Sequence, residues 1–78
     1  MAPFYDEPEY VCIQGTLLAT TPKAVLLVID RIDGAQSYHA GEEQWFPRQD
    51  IVLATRARRG DYVDLEVTLQ YLQSEGLI

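Results

Sequence analysis

One cysteine, one histidine and one tryptophan stand in a chain of 78 residues, and each scarcity closes off a class of function. Without a second cysteine there is no internal disulfide. Cys12 lies inside a strand-like apolar run, which predicts a buried, inert thiol and a reducing compartment. His39 and Cys12 together fall short of a structural zinc set, so no metal or other cofactor is expected. No apolar segment approaches the roughly 20 residues of a membrane helix. The opening, Met1-Ala2-Pro3-Phe4-Tyr5-Asp6-Glu7, has neither the basic start nor the apolar stretch of a signal peptide, which predicts a cytoplasmic protein. Basic charge is also scarce: six Lys and Arg against twelve Asp and Glu leave a net charge of -6. Such a field repels nucleic acid and attracts the basic surfaces of other proteins. Internal repeats, low-complexity tracts and Gly-rich phosphate loops are missing. A chain this short builds one core and buries roughly 60 to 65% of its unfolded surface, so there is no room for a second domain.

What is present reads as β structure. Residues 1–9 carry Pro3, Pro8 and the acids Asp6, Glu7 and Glu9, a mixture that predicts an extended N-terminal arm; residues 10–78 are then one small barrel domain. From Tyr10 to Thr20, alternation places Val11, Ile13, Leu17 and Ala19 on one face, with a bend or bulge at Gly15. A turn at Thr20-Thr21-Pro22-Lys23 leads into Ala24 to Ile29, apolar on both faces and therefore expected to be a central strand covered on each side. Asp30 to Gly41 reads as a loop with a short extended piece around Tyr38 and His39. Glu43 to Phe46 forms the next strand, with Trp45 expected to point inward. Pro47 to Asp50 fits one helical or 3₁₀ turn, and Ile51 to Thr55 resumes as a strand. After a turn at Gly60-Asp61, Val63, Leu65 and Val67 alternate with Asp64 and Glu66, giving one wet face. Thr68 caps a terminal helix that ends at Gly76, and Leu77 is expected to fold back on Leu72. The fold class is thus mainly β (α+β): a small SH3-like or OB-like, partly open barrel of about five strands with a short C-terminal helix.

No constellation of residues forces a chemistry. Ser37 and His39 share a face of an extended segment, yet nucleophilic catalysis also needs an orienting acid and an oxyanion site, so His39 is read as a loop histidine and the chain as no enzyme. Asp30-Arg31-Ile32-Asp33-Gly34 imitates the start of a calcium loop, but Ile32 and Gly41 occupy two of its ligand positions; a turn at Asp33-Gly34 is the better reading. Two charged surfaces are left as candidates. Asp64 and Glu66 on the wet strand face, with Asp6, Glu7 and Glu9 and the aromatics Tyr5 and Tyr38, suit a basic protein partner. Arg56, Arg58 and Arg59, joined by Arg48 and by Trp45, Phe46 or Tyr62 as stacking platforms, suit single-stranded nucleic acid.

The segment Lys23-Ala24, the apolar strand after it, the acids before Trp45 and then Phe46-Pro47-Arg48-Gln49-Asp50-Ile51 resemble a set of small, largely uncharacterised proteins encoded by bacteriophages and prophages. The ending, Tyr71-Leu72 and Glu75-Gly76-Leu77-Ile78, is similar to theirs, so the resemblance covers about half the chain. This chain departs from them in a longer loop between Ile29 and Trp45 and in its arginine cluster. The resemblance implies a phage origin, a small fold and residence in the host cytoplasm. On that basis the expected function is a non-enzymatic module that binds a larger host or phage protein complex, as an inhibitor of a host defence complex of the anti-CRISPR kind. The alternative is an accessory single-stranded nucleic-acid-binding protein. Monomer and homodimer are both compatible with exposed strand edges.

Overall fold

A computed structural model describes residues 9–53 and 56–78. The strands are β1 (Tyr10–Thr20), β2 (Ala24–Ile32), β3 (Ala35–Gln36), β4 (Glu43–Pro47), β5 (Ile51–Leu53) and β6 (Tyr62–Thr68). A 3₁₀ turn, Arg48–Asp50, separates β4 from β5, and one helix, α1 (Leu69–Ser74), follows β6. The protein is mainly β, an open sheet of six strands in the order β3-β2-β1-β6-β5, with β4 also pairing β2. Every pairing is antiparallel. Among the described residues no helix is long and apolar enough to cross a membrane.

Local chemistry sets most of these boundaries. Asp33 and Gly34 both have positive φ, 55° and 75°, and join Ile32 to its partner Ala35 as a two-residue hairpin. That hairpin puts the short extended piece at Ala35–Gln36, not at Tyr38 and His39, where the expectation placed it; Tyr38 stands fully exposed. Thr21 Oγ1 accepts from the Lys23 and Ala24 amides, which fixes the turn between β1 and β2. The 3₁₀ turn carries the chain from β4 at one edge of the sheet to β5 at the other in three residues, so the sheet has to curl.

Curling concentrates the core on the concave face, where Ile13, Leu17, Val25, Leu27, Phe46 and Leu65 are fully buried. At Gly15 the register between β1 and β2 shifts, as the sequence suggested. A Cβ there would stand 2.1 Å from the Val28 carbonyl oxygen, so only glycine lets the two backbones approach. A second shift lies between Leu17 and Ala19 and moves Ala19 to the opposite face from Ile13 and Leu17, against the simple alternation expected.

At the C-terminus, Thr68 Oγ1 accepts from the Tyr71 amide. The Leu77 amide donates to the Leu72 carbonyl (2.9 Å) and the Gly76 amide to the Gln73 carbonyl (3.2 Å), the paired bonds of a glycine-terminated helix. Both leucines are buried in the core, so Leu77 does fold back towards Leu72. α1 is further held to β4 by Tyr71, whose hydroxyl donates to the Trp45 carbonyl (2.6 Å) and accepts from Gln44 (3.1 Å).

Candidate interaction surfaces

Strand parity decides what β4 shows to solvent. Phe46 pairs with Val25 and is fully buried, whereas Trp45 pairs with Leu26 and is 46% exposed. The expectation that Trp45 anchors the core is therefore corrected: directly paired residues share a face, and β2 commits Val25, Leu27 and Ile29 to the core, which leaves Leu26 and its partner outside. The same parity corrects the view of β2 as covered on both sides, since Ala24, Leu26 and Val28 are only half-buried.

The pairings place residues of this convex face in rows. Trp45, Leu26 and Ala19 form one; Glu43, Val28, Thr16 and Tyr62 form the next. Below them Gln14 stands between Arg31 and Asp64, and Cys12 pairs with Glu66, itself opposite Val52. Tyr62 is 57% exposed, and its hydroxyl donates to the Asp30 carboxylate at 2.5 Å. Gln14 Nε2 donates to Asp64 Oδ1 at 2.8 Å. The face is an apolar strip running from Trp45 through Leu26 and Val28, bordered by the carboxylates of Glu43, Asp30, Asp64 and Glu66 with Arg31 as the cation among them.

Cys12 sits on this face, half-buried and not buried as expected, with its sulfur 4.0 Å from Asp64 Oδ1. Burial, and then the charges of Asp64, Glu66 and Asp33, raise its pKa, which keeps it a thiol. Tyr62 is raised by its bond to the Asp30 carboxylate, which holds the phenolic proton.

The arginines gather elsewhere. Arg48, Arg56 and Arg58 line one open groove of about 550 Å³ together with Thr20, Leu53 and Ala57. Arg48 also borders a neighbouring depression of about 380 Å³ lined by Pro22, Lys23, Pro47 and Gln49. Arg59 is exposed beside the groove residues in sequence but does not line it, and Tyr62 belongs to the convex face, so the structure divides the residues grouped for nucleic acid.

The residues grouped for a protein partner are divided too. Asp64 and Glu66 lie together on the convex face. Glu9 is exposed at the far end of β1, where its carbonyl accepts from the Leu69 amide. Tyr38 lines a separate shallow depression with Gln36 and Ser37. Tyr5, Asp6 and Glu7 lie outside the described residues. Trp45, which the sequence reading assigned to the core, is the residue this face adds; the unbroken apolar run of β2 carried no signal for it, and only the register with Leu26 shows it.

Comparison with protein-family models, with curated proteins and with solved structures found no match to the chain. Ser37 Oγ accepts from the His39 amide, and the His39 ring meets Glu42 at 3.1 Å, so the loop hydroxyl and imidazole are each engaged with other partners.

Proposed function

We propose that the chain is a non-enzymatic protein-binding module whose convex sheet face docks on a basic patch of a larger protein complex. The observation that carries this reading is Trp45, 46% exposed in a row with half-buried Leu26 and Ala19. Tryptophan is the residue most enriched among interface hot spots, and an apolar strip ringed by carboxylates has the chemistry of an interface core with a charged rim. The acidic rim selects a basic partner and speeds its encounter. A finer view of the scaffold belongs to the same proposal: the curled sheet is a partly open barrel of the SH3-like or OB-like kind, supported by the three-residue passage between its edge strands. So does the phage-type resemblance, on which the partner is a host complex and a defence effector of the CRISPR kind is the target class.

Capture with tagged protein, followed by calorimetry on the purified complex, tests the reading. Trp45→Ala is expected to weaken binding by about 2 kcal/mol, roughly thirtyfold. Charge reversal in Asp64→Lys with Glu66→Lys is expected to slow association, while Arg56→Ala with Arg58→Ala binds like the parent. Full affinity in both face variants would overturn it.

A further inference from the structure

The arginine groove lies apart from the convex face and is not used by it, and we infer that it binds the sugar-phosphate backbone of single-stranded nucleic acid. Arg48, Arg56 and Arg58 surround it, Lys23 borders the depression that continues past Arg48, and these are four of the six basic residues in a chain of net charge -6. Collecting scarce cations along a groove, instead of around one point, suits a chain that carries a charge on every unit. Guanidinium groups match phosphate oxygens with two donors at once. Half-buried Leu53 and Ala57 give the groove an apolar lining against which sugars can rest.

The Arg48 side chain and the turn that carries Arg58 are held in place, and their charges are left free of the described carboxylates. Arg48 Nε donates to the Thr21 carbonyl (2.8 Å), which anchors its side chain at the rim. The turn bearing Arg58 is closed by its own amide donating to Asp61 Oδ2 (2.8 Å) and by the Asp61 amide donating to its carbonyl (3.0 Å). That turn is pinned to β1 through Gly60 and Leu17 (2.7 Å) and through Leu17 and Asp61 (2.9 Å). Asp61 thus spends its carboxylate on a backbone amide, and Asp50 receives the Thr68 hydroxyl. Among the described residues no carboxylate lies within salt-bridge distance of these arginines.

Fluorescence anisotropy with a labelled 20-nucleotide oligothymidylate tests the inference. The expected Kd is on the order of 10 μM at 50 mM salt, weakening roughly twentyfold to fiftyfold by 200 mM for three or four phosphate contacts. Arg56→Ala with Arg58→Ala is expected to lower the slope of log K against log salt by about 1.4. The variant Arg56→Lys with Arg58→Lys keeps most of the slope, and thermal melts confirm that both fold. Asp64→Lys with Glu66→Lys still binds the oligonucleotide, which separates this site from the convex face. Absence of binding at 50 mM salt, an unchanged slope in the double-alanine protein, or equal affinity for a polyglutamate peptide would overturn it; the last result would assign the groove to acidic protein.

Discussion

Gly15 is the residue on which the sheet depends most. Gly15→Ala drives a methyl group into the Val28 carbonyl, and the expected loss is about 2 to 3 kcal/mol, measured by urea unfolding. Tyr71 ties α1 to β4, its hydroxyl bonded to both the Trp45 carbonyl and the Gln44 side-chain amide. Burial raises its pKa above the ordinary 10.0, so the folded state holds the phenolic proton more tightly than the unfolded state does. Its contribution is therefore complete below about pH 10 and is lost as pH rises through the raised value. Tyr71→Phe is expected to cost about 1 kcal/mol near neutral pH, from the bond to the Trp45 carbonyl, and to flatten the alkaline limb of the stability profile in pH-dependent unfolding. Gly15 was legible from sequence because a glycine inside a β-branched run has few other uses. The exposure of Trp45 was not, since composition favours an inward tryptophan and only the register with Leu26 turns it out.

Elements that depend on local chemistry were read almost as they stand. The turn at Asp33-Gly34, the single turn after Pro47 and the capped C-terminal helix each follow from residues a few positions apart, whereas Asp30 to Ile32, read as loop, continue β2 into a hairpin. α1 has only six residues and cannot persist without its caps. Thr68→Ala removes both the bond to the Tyr71 amide and the hydroxyl donated to Asp50, and is expected to cost about 1 to 2 kcal/mol in thermal or urea unfolding. Gly76→Ala puts a side chain at φ 71° and is expected to cost about 1 kcal/mol. The shift between Leu17 and Ala19 was not legible, because a bulge exists only relative to a partner strand. That one shift sends Ala19 to the convex face, and so the row it forms with Leu26 and Trp45 was hidden as well.

Across the whole molecule, charge is separated by the fold more than by the sequence. Arg48 and Arg56 to Arg58 come from two stretches on either side of β5 and meet at one groove, while Glu43, Asp30, Asp64 and Glu66 come from three strands and border one face. The acidic strand face was visible in the alternation of β6, and the arginine cluster was visible as a run. Their separation depends on the curl that brings Arg48 and Thr20 beside Leu53. Because the chain has a single tryptophan, the proposed docking face carries its own reporter. Protein labelled with 5-fluorotryptophan gives one fluorine resonance, from Trp45, and the most direct measurement is its spectrum as purified partner complex is added. The account predicts that this resonance shifts and loses its solvent exposure in step with the binding seen by calorimetry. A partner that binds with the Trp45 resonance unmoved and still open to solvent would contradict it.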